Sequence, residues 1–216
     1  MTPEPHRTEE TMLDLDAPVT AHRTPYIWAQ ADGLLPLPLL ERLRGALPAT
    51  DLFDRKERAA GGDKAYAMQV LPLVRGGADC AVLDRLDPVW RDLVDALRTP
   101  AYLDWVQRAV EVPVTARHAE IGLFVFGTDD HVSCHTDKSG KLASHVIYLN
   151  EAWGPDDGGA FEVHTSGSGG TPHATLPPEA PRSVVFARSE HSWHAVEPVR
   201  ADDGRLRWTI QVELWA

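Results

Sequence analysis

Residues 205–215, RLRWTIQVELW, alternate polar and apolar side chains along their whole length. The apolar face consists of Leu206, Trp208, Ile210, Val212 and Leu214. The polar face consists of Arg205, Arg207, Thr209, Gln211 and Glu213. Because successive side chains of a strand point to opposite sides, the pattern predicts a β-strand with one face on a core. The polar face either meets solvent or lines a polar barrel interior, where an arginine and a hydroxyl two residues apart would grip a carboxylate.

Other short strands precede this one. From residue 113 onward, runs rich in Val, Ile, Phe and Thr alternate with Gly, Pro, Asp and Ser breaks. The earlier runs are 115–126, 132–135, 142–149, 159–164, 183–187 and 194–199. Short strands separated by turn signals predict an antiparallel sandwich or barrel. The GSGG stretch at 167–170 and the prolines after it predict a long surface loop.

The N-terminal part has a different pattern. Residues 1–22 are polar, acidic and rich in Pro and Thr, which predicts a flexible tail. Apolar spacing predicts helices at 37–47, 83–97 and 102–110 and strands at 25–29 and 65–74. We expect a mainly β protein with N-terminal helices. One domain, 23–216, would contain a helical part at 23–112 and a β-rich core at 113–216.

Composition restricts the possible partners. The 216 residues include 21 Lys and Arg against 32 Asp and Glu, a net charge of -11. This excess of acid disfavours nucleic acid and anionic membranes as partners. Apolar runs are far shorter than the ~18–20 residues of a membrane span, and the N-terminus does not resemble a signal peptide. With only two cysteines, a disulfide framework is not expected, so we predict a soluble cytoplasmic protein.

The sequence His135-Thr136-Asp137 offers two metal ligands. In an extended chain, residues i and i+2 point to the same side, so His135 and Asp137 can face one ion while Thr136 points away. These are two of the three ligands of a facial triad that leaves coordination positions open on non-haem Fe(II). The same pattern also occurs in ordinary polar pairs at a protein surface.

A third ligand would be a histidine farther along the chain. The downstream options are His145, His164, His173, His191 and His194. His191 lies in a turn, whereas His194 begins a predicted strand after the apolar run at 184–186. We therefore favour His194 over His191.

These residues, with others nearby, resemble those of a known family, the iron- and 2-oxoglutarate-dependent oxygenases, and in particular their prolyl-4-hydroxylase-like branch. The resemblance covers residues 121 to 215. It rests on the following motifs, in order: His135-x-Asp137, Tyr148-Leu149-Asn150-x-x-Trp153, Gly158-Gly159, Phe186, His194-x-Val196-x-Pro198 and Arg207-Trp208-Thr209-Ile210.

The resemblance implies a double-stranded β-helix, the cupin-like jelly roll, in agreement with the strand pattern. It implies that His135, Asp137 and His194 bind Fe(II). It also implies that Arg207, with Thr209 and Tyr148, binds the distal carboxylate of the cosubstrate 2-oxoglutarate. The activity implied is that of an O2-dependent hydroxylase that releases succinate and CO2. Halogenases of the family carry a small residue where this chain has Asp137, so halogenation is not expected.

Two positions depart from the family. A tyrosine common before the metal pair is replaced by Phe126, which removes one hydrogen bond expected for the cosubstrate. An aromatic residue found six positions after the arginine in some relatives is replaced by Glu213. A carboxylate facing the pocket would need a partner. Glu213 either meets a cationic substrate group or lies in water at the barrel rim.

The substrate is expected to be a small molecule or a peptide: an amino acid, an amino-acid-derived metabolite or a peptidyl side chain. Basic residues at 55, 56, 58 and 64 suggest that residues 53–64 either cover the site as a mobile lid near an acidic substrate group or form a solvated loop. Two other functions remain open. One is a cupin-like iron protein that does not use 2-oxoglutarate, and the other is a non-catalytic jelly-roll binding or sensing protein.

Overall fold

The computed structural model describes residues 12–61, 64–114, 116–201 and 204–216. Its helices are α1 Leu37–Gly45, α2 Pro88–Ala96 and α3 Pro100–Val110. The strands of the N-terminal half are β1 Val19–His22, β2 Trp28–Asp32, β3 Asp54–Arg58, β4 Tyr66–Arg75 and β5 Ala78–Asp79. The later strands are β6 His118–Phe126, β7 His131–His135, β8 Lys141–Tyr148, β9 Phe161–Val163, β10 Ala174–Leu176, β11 Arg182–Ala187, β12 His194–Val196 and β13 Arg207–Trp215.

All strand pairings within the described residues are antiparallel. The strands follow the order β1-β2-β11-β8-β13-β6-β4-β7-β12-β9-β10, and β3 and β5 pair with β4. The two ends of this path face each other, because Phe161 and Leu176 share an apolar cluster with Trp28 and Phe186. The sheet is therefore curled around an interior. This agrees with the antiparallel sandwich or barrel that the strand pattern predicts and with the jelly roll that the family resemblance implies.

The helices cover the outside of the curled sheet. Trp90, Trp105 and Val106 are buried in one apolar cluster with Ile210 and Val212 of β13. The predicted apolar face of β13 therefore packs under the helices, and its polar face turns inward. Arg207 and Thr209 have no exposed surface, so the barrel-interior interpretation of this polar face is confirmed.

Local sequence signals explain where the helices begin. Thr99 caps α3, because its hydroxyl accepts a hydrogen bond from the backbone N–H of Tyr102 at 3.2 Å, and Pro100 takes the first helical position. The single helix predicted over 83–97 is instead a 3₁₀ turn at Ala81–Arg85 followed by α2. The reason is Pro88, which disfavours helical backbone at the residue before it.

The prediction of a flexible tail over residues 1–22 is wrong for the described part, which starts at residue 12. Leu13 and Ala17 are buried, and Val19–His22 forms β1 on the edge strand position beside β2. The segment carried no strand signal because the side chains of β1 are mostly exposed and its order comes from backbone pairing. Residues 1–11 lie outside the described residues, and the domain boundaries remain a prediction.

Two other segments predicted as loops contain strands. Asp54–Arg58 pairs along its whole length with β4, from Asp54 opposite Val70 to Arg58 opposite Tyr66. Ala174–Leu176, within the predicted surface loop, pairs with β9. Residues 62 and 63 lie outside the described residues, so the lid over 53–64 remains a prediction.

None of the helices in the described ranges has the length and apolar character needed to cross a membrane.

A buried hydrogen bond connects the helical layer to the sheet. The Tyr102 hydroxyl is hydrogen-bonded to His145 Nδ1 at 2.8 Å, and both residues are buried. Burial lowers the pKa of His145 to about 3, so the ring is neutral at pH 7. His145, one of the histidines considered as a ligand, is thus a core residue under α3.

The substitution Tyr102→Phe should lower the free energy of unfolding by about 1–3 kcal/mol, because it leaves a buried imidazole nitrogen without a partner. Urea denaturation at pH 7 measures this change. The matched control is Tyr66→Phe, since the half-buried Tyr66 makes no side-chain hydrogen bond among the described residues. Equal stability of the Tyr102→Phe variant and the wild type would show that the contact contributes nothing.

Candidate metal centre and anion pocket

Two neighbouring strands bring the predicted ligands together. β12 pairs with β7 so that His194 lies directly opposite His135, and Asp137 follows two residues after His135. One ligand atom from each of these three residues lies within 4.8 Å of the others, and all three residues are buried. Two imidazoles and one carboxylate are the donor set that binds non-haem Fe(II) while leaving coordination positions open. His191, the alternative third ligand, is exposed in the preceding turn.

Backbone carbonyls fix the orientation of both imidazoles. His135 Nδ1 donates to the carbonyl of Ser133 and His194 Nδ1 donates to the carbonyl of Ser192, each at 2.9 Å. Since a carbonyl can only accept, the protons lie on Nδ1 and the Nε2 lone pairs are available. Burial, the main cause, together with neighbouring positive charge lowers the pKa of both rings, which keeps them neutral. Neutral imidazole is the form that binds a metal.

The carboxylate of Asp137 is held at both oxygens. Oδ2 accepts a hydrogen bond from the Ser144 hydroxyl at 2.7 Å, and Oδ1 accepts one from Lys141 Nζ at 2.8 Å. Burial alone would raise the pKa of Asp137, but the Lys141 ammonium and the hydrogen bonds from Lys141 and Ser144 outweigh burial and lower the pKa. Asp137 is therefore ionised at pH 7 and ready to bind a cation.

Lys64 also reaches the centre. Its Nζ lies 3.2 Å from His135 Nε2, the nitrogen that would bind a metal. An ammonium group and a metal ion cannot use the same lone pair, so metal binding requires the Lys64 side chain to turn away. The sequence pattern places Lys64 only in a basic segment, because its contact with His135 joins positions 71 residues apart. Lys141 and Ser144 are only four and seven residues from Asp137, but no short motif marks the turn that brings them to its carboxylate.

A second polar site lies deeper in the barrel, around Arg207. Its Nε donates to the carbonyl of Gly159 at 2.7 Å, while Nη1 and Nη2 are buried without a hydrogen-bond partner. The guanidinium carbon lies 4.7 Å from the ring centre of Phe126 and 5.5 Å from that of Tyr148. Residue 159 must be glycine, because its φ is +68° and a Cβ would lie 3.1 Å from Arg207 Cδ.

The site around Arg207 contains buried hydrogen-bond donors that have no partner and that an anion can accept from. Burial lowers the pKa of Arg207 to about 10, which still leaves the side chain charged at pH 7. Burial raises the pKa of Tyr148 to about 12, so its hydroxyl keeps its proton, and this buried hydroxyl also has no partner. A buried cation without a counter-ion lowers the stability of the folded protein by several kcal/mol. The site therefore fits a carboxylate, which pairs with arginine through both oxygens.

Thr209 lies opposite Tyr148 on the neighbouring strand and is fully buried. Its hydroxyl makes only a long contact, 3.5 Å, to the carbonyl of Phe124. Phe126, the residue that replaces the expected tyrosine, lies opposite Arg207 on β6 and supplies an aromatic face to the cation.

One cavity joins the two sites. An inner space of about 100 Å³ is lined by His135, Asp137, His194 and Arg207 together with apolar walls that include Phe161 and Phe186. It adjoins an outer mouth of about 570 Å³, which shares Lys64, Asp137, Lys141 and Glu213 with it. The outer mouth is also lined by Lys56, Arg58 and Lys138. A small anion at Arg207 and a metal at the triad would thus occupy the same enclosed space.

The remaining histidines lie elsewhere. The ring of His164 is hydrogen-bonded to Glu162 at 3.0 Å, and His173 is exposed. The metal triad is the one cluster of three or more His, Cys, Asp or Glu side chains with metal-binding spacing in the described residues. Cys134 is half-buried, and its thiol donates to the carbonyl of Ser166 at 3.5 Å.

Comparison with known proteins shows that this chain is similar to the 2OG-Fe(II) oxygenases, the family that its motifs resemble. The sequence model of the 2OG-Fe(II) oxygenase superfamily matches residues 121–215. No curated protein matches the sequence. The matched segment contains the triad, Tyr148, Arg207 and Thr209.

Solved structures share the fold at low sequence identity. A prolyl-4-hydroxylase from Pseudomonas putida has a TM-score of 0.58 and 21% identity over 87% of this chain and 91% of that one. A Trichoplax adhaerens prolyl hydroxylase, solved with a hypoxia inducible factor peptide fragment, has a TM-score of 0.57 and 14% identity over 87% of this chain and 83% of that one. HygX from Streptomyces hygroscopicus, solved with nickel, 2-oxoglutarate and hygromycin B, has a TM-score of 0.53 and 13% identity over 87% of this chain and 82% of that one. The predicted double-stranded β-helix is confirmed.

The substitution His194→Ala should weaken divalent metal binding by more than about 100-fold, since loss of even an outer-shell partner of a ligand typically costs about 10–100-fold. Anaerobic titration with Co(II), followed by visible absorption, measures the affinity. His191→Ala removes an exposed histidine three residues away and should bind like the wild type. Equal loss in both variants would contradict the assignment of His194.

Proposed function

We propose that this chain, which carries a 2OG-Fe(II) oxygenase domain at residues 121–215, hydroxylates an unactivated C–H bond of an amino acid, an amino-acid-derived metabolite or a peptidyl side chain. The observation that carries the proposal is one enclosed cavity that holds both a His-Asp-His triad and a buried guanidinium with two unpaired Nη groups. Enzymes of this superfamily use Fe(II), 2-oxoglutarate and O2.

In this proposal His135, Asp137 and His194 hold Fe(II). With 2-oxoglutarate and O2, the iron supplies the oxidising power that replaces a substrate C–H by C–OH and releases succinate and CO2. The protein fixes the ligands through the carbonyls of Ser133 and Ser192 and through the donors on Asp137. With these three protein ligands, a bound Fe(II) would keep coordination positions open for the cosubstrate and O2.

Arg207, Tyr148 and Thr209 hold the distal carboxylate of 2-oxoglutarate. Arg207 provides charge and two N–H donors, and Tyr148 provides a protonated hydroxyl. The apolar walls of the cavity exclude water from the carboxylate, which strengthens these charge-assisted bonds. An iron protein that does not use 2-oxoglutarate has no need for this buried, uncompensated cation, so the 2-oxoglutarate-dependent function is preferred.

The substrate enters from the outer mouth of the cavity. The mouth, at about 570 Å³, has room for an amino acid or one side chain of a peptide. Five basic and four acidic side chains line the mouth, so its charge alone does not select between acidic and basic substrates. Among the similar structures, one was solved with a peptide fragment and another with hygromycin B, so both substrate sizes occur on this fold.

Two measurements test the function. Anaerobic addition of Fe(II) and 2-oxoglutarate should produce a weak charge-transfer absorption band in the visible. A screen across amino acids and peptides should then find one that raises succinate release and gains one oxygen atom by mass spectrometry. An iron-loaded protein without the band would favour a non-catalytic binding or sensing protein.

The substitution Arg207→Met isolates the anion pocket. In the presence of Mn(II), saturating 2-oxoglutarate should raise the melting temperature of the wild type by roughly 5 °C, as ligand linkage predicts for a domain of this size. The Arg207→Met variant should show no such rise. Without 2-oxoglutarate it should be at least as stable as the wild type, because an uncompensated buried charge has been removed.

The matched control for this experiment is Arg205→Met. Arg205 lies two residues before Arg207, is largely exposed and pairs with Asp157 at the surface. This variant should keep the full thermal shift. A full shift in Arg207→Met would show that the cosubstrate carboxylate binds elsewhere.

A further inference from the structure

Lys141 lies between two carboxylates at the wall of the metal centre. Its Nζ donates to Asp137 Oδ1 at 2.8 Å and to Glu213 Oε1 at 2.7 Å. The Lys141 side chain is 9% exposed and that of Glu213 is 22% exposed. Lys141 begins β8, and Glu213 lies on the adjacent strand β13, so strand pairing fixes the backbone positions of both residues.

An ammonium group at this position would oppose metal binding if it were not neutralised. It contacts an oxygen of a candidate ligand directly, and the Coulomb energy between close charges is large where water is excluded. Glu213 places a negative charge against the same ammonium group. Lys141 can therefore act as a hydrogen-bond donor to Asp137 while the Lys141–Glu213 pair adds no net charge beside the metal.

Glu213 is in turn stabilised by Lys141. On the adjacent strand β6 its direct neighbour is Glu120, and like charges opposite each other on a sheet are unfavourable. Among the described residues, Lys141 is the cation that pairs with Glu213. The acidic residue that departs from the family pattern thus has a partner within the protein, and it does not lie in open water at the rim.

We infer that Lys141 and Glu213 are a pair of positioning residues for the metal centre. Lys141 holds Asp137 in its binding orientation, and Glu213 cancels the charge of Lys141 toward the metal ion. This inference rests on the proposed function, because it assumes that Asp137 binds a divalent metal.

Anaerobic Co(II) titration separates the two roles, because the visible spectrum of Co(II) reports its coordination while the titration gives its affinity. Glu213→Gln should weaken Co(II) binding at least tenfold, since it leaves the charge of Lys141 uncompensated. Adding Lys141→Met to Glu213→Gln should restore the affinity to within about threefold of the wild type. The double variant should still show a changed spectrum, because Asp137 has lost its donor.

The matched control is Glu120→Gln. This variant also removes one negative charge, but at the position opposite Glu213 on β6, from a residue that has no ion pair to Lys141 among the described residues. It should change the affinity less than threefold. Thermal unfolding of each variant establishes that it is folded, and if Glu213→Gln does not fold, Lys141→Met alone must change the Co(II) spectrum.

Three outcomes would overturn the inference. The first is a wild-type affinity in Glu213→Gln, and the second is a double variant as weak as Glu213→Gln. The third is an unchanged Co(II) spectrum in Lys141→Met. Each of these leaves metal binding by the wild type intact and so leaves the proposed function standing. Failure of the wild type to bind Co(II) or Fe(II) would overturn both.

Discussion

Backbone pairing between β7 and β12 holds His135 opposite His194, and the rest of the candidate centre depends on this register. A slip of one strand by one residue would turn its imidazole to the other face of the sheet and separate it from the other. The register is supported from within the barrel, where the ring of Phe186 lies 4.5 Å from that of His194 and the ring of Phe161 lies 5.5 Å from it. Asp137 then needs only to follow β7 by two residues to complete the triad.

The interior of the barrel contains more charge than an apolar core tolerates, and most of that charge is paired. Asp137, Lys141 and Glu213 form a continuous chain of ion pairs. Arg207 is the exception, since its Nη groups have no partner and only aromatic faces beside them. A protein keeps a buried cation of this kind at a cost in stability. The unpartnered Nη groups support the proposal that an anion binds Arg207.

The helical layer has a different task, which is to support the sheet from outside. Its tryptophans and tyrosine pack on the apolar face of β13 and its neighbours, and Tyr102 also satisfies His145. Strand β13 therefore packs against the core with one face and lines the cavity with the other. Ile210 and Val212 anchor the strand to the core, while Arg207 and Thr209 face the cavity. At 13–21% identity to three solved structures of this fold, the fold evidently persists through large changes in sequence.

Alternation and short motifs are local properties, so the sequence alone predicted most strands of residues 113–216 and the six candidate site residues. It left open whether the polar face of β13 meets solvent or the barrel interior, and burial of Arg207 and Thr209 settles that point. It could not find β1, β3 or β10, whose order comes from backbone pairing with a neighbouring strand and leaves little trace in side-chain pattern. Nor could it show that Lys64, Lys141 and Ser144 reach the metal centre or that Glu213 pairs with Lys141. These contacts depend on the fold. The connection between β7 and β8 brings Lys141 and Ser144 to Asp137, and strand pairing brings Glu213 to Lys141, neither of which a local pattern of side chains encodes.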